Sequence, residues 1–108
     1  MSDLTHEIRF QGLARKEFAI TPLGLSGETP QEFTTGLALG YSRIGCYAYN
    51  NSDPASGEFY WGNALVSPRT GFPIPVGSVV EIPIAGELSF YLCASGERVM
   101  DARILEIS

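Results

Sequence analysis

The chain has 108 residues, 44% of them hydrophobic and 18% charged, and its 12 acidic against 7 basic residues leave a formal net charge of −5. One hydrophobic core is expected at this length, and a charged share below the roughly 25% of ordinary globular domains argues for a β protein with broad uncharged faces, not a disordered or helix-rich chain. The basic residues Arg9, Arg15, Lys16, Arg43, Arg69, Arg98 and Arg103 are scattered, which excludes the clustered positive charge that a nucleic acid or an anionic membrane surface requires.

Taken in chain order, Leu4 to Phe10 alternates loosely and reads as an N-terminal contact arm over residues 1–10. Glu17 to Thr21 is a strand signal, and the Gly, Pro and Ser content of Pro22 to Pro30 predicts a loop. Strand character returns at Gln31 to Leu39, with Phe33, Thr35, Leu37 and Leu39 on one face. From Arg43 to Tyr49 the alternation is strong, with Ile44, Cys46 and Ala48 on one side and Gly45, Tyr47 and Tyr49 on the other. Asn50 to Gly57 is the clearest loop, because Asn, Asp and Ser fold back on their own backbone and Pro54 pre-sets φ.

Glu58 to Trp61 follows as a strand, and Ser67 to Gly71 as a turn with proline early and glycine late. Pro73 and Pro75 each remove a backbone donor, so Phe72 to Val76 belongs at an edge. Ser78 to Ile84 groups Val80, Ile82 and Ile84, and Ala85-Gly86-Glu87 turns the chain. Leu88, Phe90, Leu92 and Ala94 then line an inward face. Ser95 to Arg98 reads as a hairpin turn with positive φ at Gly96. The last strand, Val99 to Ile107, carries Ala102 and Ile104 on one face and Leu105 and Ile107 on the other, so something should cover it on both sides. The fold class expected is all-β: a single-domain antiparallel β-sandwich, jelly-roll-like, over residues 1–108, with seven to nine short strands.

Reactive chemistry is not expected. His6, the only histidine, has no ligand set at metal-binding spacing. There is no nucleophile elbow, and Gly24 to Gly27 lacks the lysine of a phosphate loop. Cys46 and Cys93 are too far apart for a redox motif and are expected as buried free thiols. Met1 to Glu7 does not read as a secretory signal, and no apolar run approaches the ~18 residues of a membrane span. The expectation is therefore a non-enzyme without cofactor, metal, nucleic-acid or membrane partner, made in a reducing cytoplasm. Aromatic residues are the stronger lead. Tyr47, Tyr49, Phe59, Tyr60 and Trp61 flank one loop, and alternation sends Tyr60 to the face opposite Phe59 and Trp61. They fit ordinary cross-strand pairs and an interface equally well. The candidate interface residues are Tyr47, Tyr49, Tyr60, Trp61, Phe72, Leu105 and Ile107.

The C-terminal half contains Asn50-Asn51-Ser52, Tyr60-Trp61-Gly62-Asn63 and Gly71-Phe72-Pro73-Ile74-Pro75-Val76-Gly77. Phe90-Tyr91 running to Ser95-Gly96, and Arg103-Ile104-Leu105-Glu106, complete the pattern. From Tyr49 to Glu106 the chain resembles the small decoration, or cement, proteins and other minor structural proteins of tailed bacteriophages. That resemblance implies a virion protein on the capsid surface, made in the host bacterial cytoplasm, whose partners are the major capsid protein and further copies of itself. As an alternative it also resembles head-fibre or tail-attached modules, for which the implied ligand is a carbohydrate or receptor held by exposed aromatics. The first 45 residues carry no such likeness.

Overall fold

In a computed structural model, residues 17–84, 88–96 and 98–108 are described; the N-terminal arm expected over residues 1–10, His6 and the turn at 85–87 lie outside them. Eight strands follow one another: β1 (Phe18–Leu25), β2 (Gln31–Phe33), β3 (Gly45–Asn50), β4 (Phe59–Gly62), β5 (Phe72–Ile74), β6 (Val79–Glu81), β7 (Phe90–Ala94) and β8 (Met100–Ile107). The only helical element among the described residues is a 3₁₀ turn, Pro54–Ser56, opened by Asp53, whose Oδ1 accepts the Ala55 amide at 3.0 Å. The strands form two four-stranded sheets, ordered β1-β8-β3-β6 and β2-β7-β4-β5.

All the pairings are antiparallel, and they nest: β1 with β8, β2 with β7, β3 with β6, and β4 with β5. A ribbon made of β1–β4 laid against β5–β8 and rolled up, with β3–β8 and β4–β7 closing the sheets, is the jelly-roll architecture. The sequence expectation of an antiparallel sandwich thus holds, and the eight strands among the described residues fall within the expected seven to nine.

Both sheets turn their apolar sides inward. Leu25, Cys46, Ala48, Met100, Ala102 and Ile104 from the first sheet meet Phe33, Phe59, Ile74, Phe90, Leu92 and Ala94 from the second, with Ile82 between them. Two polar clasps cross this core. Asn50, buried, donates to Ile74 O at 2.8 Å and Gly57 O at 3.2 Å, joining the first sheet to the edge of the second. Arg43 and Glu106, also buried, pair at 2.9 Å. Arg43 additionally donates to Thr34 O at 3.0 Å and to Leu88 O and lies 5.5 Å from the Phe90 ring centroid. The other Glu106 oxygen accepts the Gly36 amide at 2.6 Å. The β2–β3 connection is therefore pinned to β7 and β8 by one ion pair whose hydrogen bonds run largely to backbone.

Several local expectations are corrected. The Pro22–Pro30 loop is wrong for its first four residues, since β1 continues to Leu25. Glu17 O accepts the Ser108 amide, so odd-numbered residues of β1 turn their backbone toward β8 and Pro22 turns its missing donor to the open edge, where a strand tolerates proline. The Gln31–Leu39 strand stops at Phe33. Beyond it, Thr35 Oγ1 takes the Leu37 amide and Glu106 takes that of Gly36, and side-chain capture of this kind competes with a sheet ladder. Leu37 is buried there, but Thr35 and Leu39 are exposed.

Leu88, expected inward, and Ile44, expected on the side of Cys46 and Ala48, are exposed because each sits just outside its strand. Asn50, read as loop, ends β3. Gly96 does not have positive φ; Gly27, Gly40, Gly57 and Gly77 do. The Ser78–Ile84 strand shortens to Val79–Glu81, although Ile82 is buried and Val80 and Ile84 pack on the core as expected.

Candidate functional site

The outer face of the first sheet can be built row by row from its register. Phe18 lies opposite Ile107, which faces Gly45; Ile20 opposite Leu105, which faces Tyr47, which faces Glu81; and Pro22 opposite Arg103, which faces Tyr49, which faces Val79. Alternation places all of these on one side, since their neighbours along each strand point into the core. The face is apolar and open: Phe18 is 68% exposed, Ile20 58% and Val79 64%, with Ile44 beside it at 67%. Tyr47, Tyr49 and Leu105 are half-buried against one another, and a shallow depression lies among Ile20, Tyr47, Tyr49, Val79, Arg103 and Leu105.

One ion pair marks this face. Arg103 donates through Nε and Nη2 to both Asp101 oxygens, at 3.1 and 3.0 Å, and Asn51 Nδ2 adds a third bond at 2.8 Å. The Arg103 hydrogen bonds, then that of Asn51, hold the Asp101 carboxyl below its ordinary range. The fork geometry satisfies the guanidinium where it stands.

A second apolar surface lies at the edge of the other sheet. Trp61 stacks on Phe72 at 5.1 Å between centroids with a 27° tilt, and meets Phe90 edge-on at 6.2 Å. Phe72 is 63% exposed and Leu65, in the β4–β5 connection, 83%. Trp61 Nε1 is buried without a hydrogen-bond partner among the described residues. On the outer side of β4, Val66 is buried against Gly62 and Gly71, where an added Cβ would strike it.

The seven interface candidates thus divide. Tyr47, Tyr49, Leu105 and Ile107 come together on the first sheet, and Trp61 and Phe72 at the edge of the second. Tyr60 stands apart on the outer side of β4, its hydroxyl donating to Glu58 at 3.0 Å. The four aromatics Tyr47, Tyr49, Tyr60 and Trp61 therefore form no common platform. Phe18, Ile20, Ile44 and Val79 were missed. The available signal was that Phe18 and Ile20 alternate with the smaller Ala19 and Thr21, but both sets could be read as core-facing.

The buried groups are arranged for structure. Burial pushes the Cys46 thiol up to about 11 despite Arg43 nearby, which keeps it protonated, and Cys46 and Cys93 are both free and buried. Among the described residues no group of three or more His, Cys, Asp or Glu is placed to hold a metal ion, and no helix is long and apolar enough to cross a membrane. No protein-family model matches the chain, and no curated protein matches it.

Proposed function

We propose that the protein is a structural component of a bacteriophage virion, a decoration (cement) protein that binds the outside of the head and stiffens it. The observation that carries this reading is the pair of separate exposed apolar surfaces, the β1-β8-β3-β6 face and the Trp61–Phe72 edge, on one small domain. A domain with two docking surfaces on different sheets can bridge neighbours, as a cement protein must. The phage-like pattern from Tyr49 to Glu106 supports the same reading. Each 100 Å² of apolar surface removed from water favours association by about 2.5 kcal/mol before the costs of binding, repeated at every copy on a shell.

The test is to mix purified protein with heads, assembled without it, of the phage that encodes it. Co-sedimentation, and a higher temperature for head disruption, are expected. Failure to bind such heads, together with absence from purified virions by mass spectrometry, would overturn the reading. A saturable response in a glycan titration, lost on replacing Tyr47 and Tyr49, would favour the head-fibre or tail module instead.

A further inference from the structure

We infer that the outer face of the β1-β8-β3-β6 sheet is the seam of a twofold dimer of this chain. The inference rests on the reading of the exposed apolar surfaces as protein contacts; it assigns the sheet face to a second copy and leaves the Trp61–Phe72 edge for the shell.

Shape is the first argument. The face carries a knob, Phe18, and a hollow bounded by Ile20, Tyr47, Tyr49, Val79 and Leu105. A knob and a hollow on one surface are what a self-complementary interface requires, because a twofold axis seats each copy's knob in the other's hollow. Charge raises no obstacle: the one cation near the centre, Arg103, is already bound to Asp101 through two hydrogen bonds, and Glu81 sits at the β6 margin.

Area is the second. β1 and β8 contribute eight residues each, β3 six and β6 three; at about 3.3 Å per residue and about 4.8 Å between strands the face measures about 400 Å². Two copies then bury about 800 Å², the scale of a weak, reversible contact.

Edge pairing, the competing way for sheets to associate, is blunted at both ends. The edge of β1 that no described strand pairs lacks a donor at Pro22, in mid-strand, and the other edge strand, β6, has only three residues and is followed by Pro83. Proline and short length are the devices by which edges are kept from pairing. Two sheets stacked face to face at about 10 Å would cover the apolar rows.

Sedimentation velocity and light scattering of the full chain over a concentration series test this. A species of twice the 11.7 kDa chain mass is expected. Leu105→Arg should raise its dissociation constant on the order of 100-fold or more, by placing an unpaired charge in the seam. Phe18→Ser, at an exposed knob, serves as a second variant that leaves the fold intact. Glu32→Lys, on the outer side of the other sheet, should leave the dimer unchanged. A wild-type chain that stays monomeric up to its solubility limit, or a dimer indifferent to both seam variants, would overturn the inference. Head binding by a monomeric protein would overturn the dimer and leave the decoration reading standing; a dimer that ignores heads would do the reverse.

Discussion

The two sides of β8 differ sharply. Met100, Ala102, Ile104 and Glu106 point inward and are buried, whereas Asp101, Arg103, Leu105 and Ile107 point outward and are half-buried or exposed. Both sides contain aliphatic residues and both contain a carboxylate with an arginine partner. Glu106 is held by a buried guanidinium and a backbone amide; Asp101 is held by an exposed guanidinium and an exposed amide. The contrast teaches that the same residue types stabilise the monomer on one side of a strand and are free for other molecules on the other.

The largest effect should come from breaking the inner ion pair. Glu106→Ala or Arg43→Ala should cost about 3–5 kcal/mol in denaturant unfolding, since each leaves a buried charge unpaired. Arg43→Met combined with Glu106→Leu should lose less than the two single losses added, because it removes both charges together. Equal or greater loss would mean that the backbone bonds to Thr34, Gly36 and Leu88 matter more than the charges.

Removing inner apolar volume comes next: Ile104→Ala should cost about 2–5 kcal/mol. On the outer side, Leu105→Ala should change monomer stability far less, and a comparable loss would end the distinction between the two sides.

Alkaline pH probes the interior beside β8, on β3. The folded Cys46 thiol is raised from 9.0 to about 11, so the folded state holds its proton where the unfolded state releases it. This contribution to stability is whole below about pH 9, falls as pH rises, and is gone by about pH 11, a change on the order of 2–3 kcal/mol. Unfolding measured against pH for wild type and Cys46→Ala should diverge over that window and run parallel below it.

The smallest effect belongs to the outer pair. Its carboxyl is lowered, so any stability it contributes is present above the unfolded carboxylate range and lost as pH falls through the folded value. Being solvent-exposed, the pair should contribute little. Asp101→Asn should hardly move the thermal midpoint, and raised salt should erase what difference there is.

How much of this was legible beforehand varies along the chain. The turn region from Asn51 to Gly57, β4, β5 as a proline-bearing edge and the two faces of β8 were read correctly, because alternation and turn chemistry are written in neighbouring residues. Pro22 misled, since its tolerance depends on which way its backbone nitrogen points, and that is set by pairing with β8 at the far end of the chain. Ile44 and Leu88 misled because alternation says nothing about where a strand begins. The candidate surface was half visible: Leu105 and Ile107 stood out as surplus apolar residues, while Phe18 and Ile20 could not be told from core.

By itself the sequence determined an all-β sandwich, the turns after Asn50 and after Ser67, and the period-two division of the strands, because these follow from local sterics and from which side chains water rejects. Only the tertiary structure decided the jelly-roll strand order, the Arg43–Glu106 clasp across 63 residues, and the assembly of β1, β3, β6 and β8 into one open apolar face. Those depend on contacts between distant segments, and a period-two pattern carries no information about which distant strand will lie alongside.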